Sequence, residues 1–237
     1  FYEQLMYVGD TRVENLIIAA TTGDDRLLLN SLRQFAASRD FRGLTASSYP
    51  VRSRQTIPGY SLLWIPMLHD AVLWSCDAIK LAPELVPAMR GILDYFEHYR
   101  DPATKLMISP PGWNFVDWVN VPEWAIGVPP GGAPGEISGV GNLLYLYTLR
   151  HALLIEEAFG SKDYMAFYQA RFAESAEAIL KHFWSKDRQL FADDLAKQYY
   201  SEHAQLLALL SDAFAPGITE AAAQQLFAAP NNLSPAG

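Results

Sequence analysis

The chain has 237 residues, half of them hydrophobic and 13% aromatic, which supplies a sizeable core and argues against disorder as the main state. A formal net charge of −8, with no lysine or arginine cluster, argues against a nucleic-acid partner, which needs a basic surface. One cysteine, Cys76, excludes a disulfide framework and a cysteine-based metal site, and no apolar run approaches the roughly 18 residues that span a bilayer.

The apolar spacing is helical almost throughout. Val13, Leu16, Ile17 and Ala20 recur at helical intervals and predict a helix over 11–22, with Gly23 as its stop. Asp24 or Asp25 can cap a second helix carrying Leu28, Leu29, Leu32, Phe35 and Ala36. A loop over 39–59 follows, then a third helix over 61–76 and a fourth over 83–99. Cys76 is expected to behave as a small core hydrophobe. Residues 101–137 break the pattern: they hold seven of the fifteen prolines and three of the six tryptophans. Such a long irregular segment is usually functional or a linker, and its tryptophans argue against a solvated linker. Helices resume over 138–159 and 163–184, a turn and extended stretch covers 186–200, and two more helices are expected over 201–214 and 219–229.

About eight helices thus pair as four hairpins, with the long loops 39–59, 101–137 and 185–200 between pairs. That alternation suits an all-α toroid of helical hairpins, and it suits a solenoid of helix pairs equally well, with an ordinary helical bundle as the other plain alternative. The expected domain organisation is a single partial catalytic domain over 1–237, truncated at both ends, since the chain opens inside a motif without an initiator methionine.

That motif places Glu3 and Asp10 seven residues apart among Phe1, Tyr2 and Tyr7. Carboxylates among aromatics suit a sugar site: ring faces stack on the apolar face of a pyranose, and the acids handle protons or hydroxyls. Glu3 beside Tyr2 and Tyr7 is a candidate general acid, and Asp10 a candidate sugar ligand. The plain alternative makes Asp10 the N-cap of the helix starting at Thr11 and leaves Glu3 on the surface. A second constellation is Trp113-Asn-Phe-Val-Asp117-Trp118, where Asp117 can bind sugar hydroxyls while Trp113 or Trp118 stacks on the ring. Glu123, five residues on, is either the rim of that pocket or loop packing. Glu136 precedes a helix and is explained by the helix dipole. The histidines His69, His98, His151, His182 and His203 form no metal-ligand spacing, so no metal or cofactor is expected. His203 opens a helix beside a loop and is the one expected to face a cavity. His69, mid-helix, reads as structural.

The opening Tyr2-Glu-Gln-Leu-Met-Tyr-Val-Gly-Asp-Thr-Arg12 resembles the signature of the six-hairpin catalytic domain of bacterial α-L-rhamnosidases, glycoside hydrolase family 78. It has a Tyr-Glu-Gln form where the more usual one is Asp-Glu-Arg. The Trp113–Trp118 block resembles the family's Asp-Trp block, and Ser201–Leu210 the helix after the third long loop. The resemblance implies an (α/α)6 barrel, no cofactor, and inverting hydrolysis of a terminal α-L-rhamnoside in an oligosaccharide or other glycoside. On it, Glu3 matches the general acid, Asp10 an acid that holds the sugar, and Asp117 and Trp118 positions in the barrel mouth. No residue matches the general base, which is expected beyond Gly237 with about four further helices, and an upstream Asp is expected before Phe1. Tyr7 stands where many members have Trp. The alternatives are another (α/α)6 glycosidase acting on a different sugar or uronate, and a non-catalytic helical-repeat carbohydrate-binding protein. A soluble protein is expected; the sequence sets neither compartment nor oligomeric state.

Overall fold

The computed structural model describes residues 5–228, 230 and 232–236. Eight α-helices run through them, named α1 (Val8–Thr22), α2 (Arg26–Ala37), α3 (Pro58–Trp74), α4 (Cys76–Glu97), α5 (Gly139–Phe159), α6 (Lys162–Phe183), α7 (Glu202–Ser211) and α8 (Pro216–Leu226). A two-residue antiparallel pair, β1 (Trp184–Ser185) and β2 (Leu190–Phe191), lies between α6 and α7, with Trp184 opposite Phe191. The long loops fall between helix pairs, as the hairpin pattern predicts. The chain forms two compact units, Phe1–His98 with His151–Ala166, and Tyr99–Arg150 with Phe167–Gly237.

In the first unit α3 is the central helix. Pro58 sits in its first turn, where a missing N–H costs nothing, and Leu62, Trp64, Ile65, Met67 and Leu68 are all buried. A helix apolar on every side must be surrounded, and α1, α2 and α4 all pack on it. Each of these large side chains contributes roughly 1.5–3 kcal/mol on burial. Polar ties fix the neighbours: Arg12 of α1 meets Asp70 of α3 at 2.7 Å, and the Trp64 indole donates to the Leu32 carbonyl of α2 at 3.3 Å.

Several boundaries differ from the sequence expectation. α1 starts at Val8 rather than Thr11, because the fully buried Val8 also joins the core, with its N–H on the Ser47 carbonyl. Asp10 is therefore the third residue of the helix and not its cap; the cap position is Tyr7, which makes no side-chain cap bond. Cys76 is exposed, contrary to the core role expected of it. Ser75 explains this: its hydroxyl accepts from the Ala78 N–H and starts α4 there, seven residues before Pro83, so Cys76 becomes a surface residue of the first turn. Pro83 and Pro87 lie within α4 on its exposed side, where water can satisfy the carbonyls they leave unbonded.

The second unit packs Leu106, Val119 and Trp124 of the proline-rich segment against Val140, Leu143 and Leu146 of α5. Ile179 and Phe183 of α6, Phe191 of β2, Ala204 and Ala208 of α7 and Ala222 of α8 complete that core. The 101–137 segment is thus part of the core it crosses. Asn142 of α5 clamps it by accepting from the Met107 N–H (2.7 Å) and donating to the Met107 carbonyl (3.0 Å). Among the described residues no helix is long and apolar enough to cross a membrane.

Candidate active site

The acid–aromatic site of the second unit is built on a strained turn. Ile126 and Gly127 both have positive φ, +51° and +74°. For a β-branched residue such as Ile126 this is a costly conformation, of the kind that collects at functional sites. Two bonds hold it: the Trp113 indole donates to the Ile126 carbonyl (3.0 Å), and the Val116 N–H to the Gly127 carbonyl (2.9 Å). A Cβ at Gly127 would fall 2.3 Å from the Phe115 ring and 2.8 Å from the Asp117 carbonyl oxygen, so only glycine fits.

The turn gathers three rings. Trp113 lies 4.9 Å from Phe115 and 6.0 Å from Trp118 between centroids, and Phe115 lies 5.0 Å from Trp118. Phe115 is buried beneath, whereas Trp118 is 65% exposed and offers a free face. Asp117 stands among them. Its Oδ1 accepts from the Trp118 N–H (2.7 Å) and its Oδ2 lies 3.0 Å from Nε2 of His203. With Asp117 ionised, Nε2 is the donor. The Asp117 side chain is 35% exposed, so a ligand can reach it, while that of His203 is only 12% exposed. The expectations for Asp117 and His203, 86 positions apart, thus meet in one pair.

His203 is fixed from two sides. Its ring packs against the Trp124 ring, centroids 4.8 Å apart at 35°, and Trp124 is buried in the core. It is also the second residue of α7, whose cap is Ser201: the Ser201 hydroxyl accepts from the Ala204 N–H and donates to Asp193 Oδ1 at 2.7 Å. Asp193, which sequence reasoning passed over, is fully buried. Burial pushes its carboxyl up to about 7 against the pull of the Ser201 bonds, with Asp194 adding to the rise. The Trp124 N–H lies near enough to favour the ionised form slightly, without completing a hydrogen bond. The signal available in the sequence was an acid in the apolar run Leu190-Phe-Ala-Asp193, eight residues before a helix cap.

Glu123 is partly buried and accepts from the Ser234 hydroxyl at 3.3 Å. It borders two grooves of about 630 and 640 Å³, the first walled by Trp113, Ile126 and Pro129, the second by Asp194 and Tyr199, with Glu136 on both.

In the first unit, Tyr7 packs edge-on against Tyr60, centroids 6.4 Å apart, and Asp10 is exposed in the first turn of α1, where the helix dipole favours an acid. Tyr2 and Glu3 lie outside the described residues. Sequence reasoning also missed that His69 pairs with His151, their Nδ1 atoms 3.1 Å apart. Among the described residues no group of three or more His, Cys, Asp or Glu side chains can hold a metal ion.

Paired helices around long loops, with an acid held among aromatics, fit the class of the six-hairpin glycosidase domains. More particularly, the chain belongs to the bacterial α-L-rhamnosidase family, whose six-hairpin glycosidase domain it matches over residues 1–232. Similar folds occur in a GH78 family rhamnosidase of Bacillus sp. GL1 (21% identity, TM-score 0.83, 100% of this chain and 24% of that one). The rhamnosidase from Klebsiella oxytoca, with rhamnose bound, has 18% identity and a TM-score of 0.81 over 99% of this chain and 43% of its own. The Streptomyces avermitilis α-L-rhamnosidase, complexed with L-rhamnose, has 17% identity and a TM-score of 0.71 over 98% of this chain and 21% of its own. The chain therefore spans less than half the length of each of these proteins. No curated protein sequence matches it.

Proposed function

We propose that the protein carrying this domain is a glycoside hydrolase that cleaves terminal α-L-rhamnosides with inversion. Glu3 is the general acid, protonating the glycosidic oxygen. Asp117 binds sugar hydroxyls, Trp113 and Trp118 offer ring faces, and Glu123 borders the groove beside them; Asp10, Tyr2 and Tyr7 are assigned substrate-binding roles on the resemblance of the opening motif alone. Inversion needs a base on the opposite face of the ring, its carboxyl roughly 6.5–9.5 Å from the acid so that a water fits between. No residue of this chain is assigned that role.

The observation that carries the reading is the Asp117–His203 pair beside an exposed tryptophan face, in a chain of the rhamnosidase family. The histidine holds the carboxylate in one orientation, so a sugar that binds it meets an acceptor already in place. Two of the similar structures hold rhamnose, which supports that sugar as the ligand.

The test is Glu3→Gln in the full-length protein, assayed on an alkyl α-L-rhamnoside, whose poor leaving group needs its proton. General acid catalysis is typically worth about 10²–10⁴-fold, and kcat is expected to fall by that much. Activity within a few fold of the parent would remove Glu3 as the acid.

A further inference from the structure

We propose that Asp193 is a positioning residue for the Asp117–His203 pair, acting through the cap of α7. The proposal rests on the reading of Asp117 as a sugar-binding acid, and deepens it.

The linkage is a chain of short contacts. Asp193 Oδ1 accepts twice from Ser201, from its N–H at 3.2 Å and its hydroxyl at 2.7 Å. The Ser201 hydroxyl accepts from the Ala204 N–H at 3.3 Å and closes the first turn of α7. His203 lies within that turn, so its ring direction follows the cap, and its Nε2 reaches Asp117 at 3.0 Å. The backbone of Asp193 ties in two more strands of chain: its carbonyl accepts from the Gly139 N–H at the start of α5 (2.7 Å), and its N–H donates to the Tyr199 carbonyl (2.9 Å). The fit there is close enough that a Cβ on Gly139 would fall 2.1 Å from the Ala192 carbonyl oxygen. Asp193 is therefore held from three directions and has little freedom to move the cap.

Asp193 is chemically unusual for a purely structural cap support. Among the described residues no basic side chain pairs with it, and three buried polar atoms of this cluster have no hydrogen-bond partner: Asp193 Oδ2, Trp124 Nε1 and His203 Nδ1. A buried carboxylate without a cation is costly, and protonation relieves that cost. Protonation at Oδ2 leaves Oδ1 as the acceptor for both Ser201 donors. What α7 requires of Asp193 is thus the Oδ1 acceptor and not the charge, and asparagine supplies the same acceptor.

The experiment compares Asp193→Asn, Asp193→Ala and Ser201→Ala in the full-length protein by rhamnoside kinetics and by ¹⁵N signals of selectively labelled histidine. D193N is expected to stay within about threefold of the parent KM, with His203 remaining the Nε2-protonated tautomer. D193A is expected to raise KM about tenfold with kcat little changed, the signature of lost uniform binding, and to replace the single His203 tautomer by an averaged signal. S201A keeps the backbone and the acid but breaks the hydroxyl link. It should move KM and the His203 signal the same way, and it decides the matter should D193A not fold. A folded D193A or S201A with the parent's KM and His203 signal would overturn the proposal, as would D193N as impaired as D193A. If the parent shows no rhamnosidase activity, the activity reading fails, and the histidine signals alone then decide on Asp193.

Discussion

In the first unit Glu156 is buried with a cation: Arg90 meets it through two parallel bonds, Nε to Oε1 at 2.8 Å and a terminal nitrogen to Oε2 at 2.7 Å. In the second unit Asp193 is buried with only a hydroxyl and backbone donors. The first arrangement is a fixed structural tie. Arg90 is itself stacked 3.8 Å from the Tyr164 ring centre, and the Ser161 N–H adds a bond at 3.0 Å. The second leaves a carboxyl whose charge state changes near neutral pH, next to the elements that carry the candidate sugar-binding pair. Burial of an acid thus does not mark a site by itself; burial without a cation, beside a reachable carboxylate, is what makes Asp193 a candidate.

The largest effect that would break this contrast is in the first unit. Glu156→Ala breaks the pair that a fully buried carboxylate makes with Arg90 through two parallel bonds, and should cost about 3–5 kcal/mol, read as a lower urea midpoint. A loss under about 1 kcal/mol would mean that the pair is not a structural tie.

The next effect is a pH dependence confined to the second unit. Folding raises the Asp193 carboxyl from 3.8 to about 7, so between those values the folded state binds a proton that the unfolded chain has released. The contribution of Asp193 is then fully present below about pH 4 and is lost as pH rises through 7, at about 1.4 kcal/mol per pH unit inside the window. D193N cannot ionise, so urea midpoints measured from pH 5 to 8 should show a gap between variant and parent that widens in the variant's favour. A constant gap would place the carboxyl outside this range.

The smallest effect tests the turn that shapes the aromatic rim. Gly127→Ala forces a side chain into a left-handed residue that already touches Phe115, and should cost about 1–3 kcal/mol in stability. Because the same Cβ presses on the Asp117 carbonyl, rhamnoside KM should rise as well. Unchanged KM would separate the turn from the sugar site.

Much of the fold was legible because Gly23, Ser201 and the proline-rich loops punctuate the helical stretches clearly, although in α1 the spaced Val13 and Ile17 are exposed and Thr11, Asn15 and Ala19 are buried. Boundaries failed where tertiary contacts override local signals. Val8 joins α1 because it is buried, and α4 runs through Pro83 and Pro87, both on its exposed side. In the site, Asp117 and the tryptophans could be read as a block, and His203 from its place at a helix start. Asp193 left only a weak signal, because an Asp in an apolar run looks like a strand end until its bonds to Ser201 are seen. The pairing of His69 with His151, 82 positions apart, leaves no trace in local spacing.

The most direct measurement is proton NMR of the sugar released in the first seconds of hydrolysis by the full-length protein acting on an α-L-rhamnoside. Inversion predicts that β-L-rhamnose appears first and mutarotates afterwards. Initial release of α-L-rhamnose would contradict the account, since retention needs a nucleophile about 5–5.5 Å from the acid rather than a base across a water.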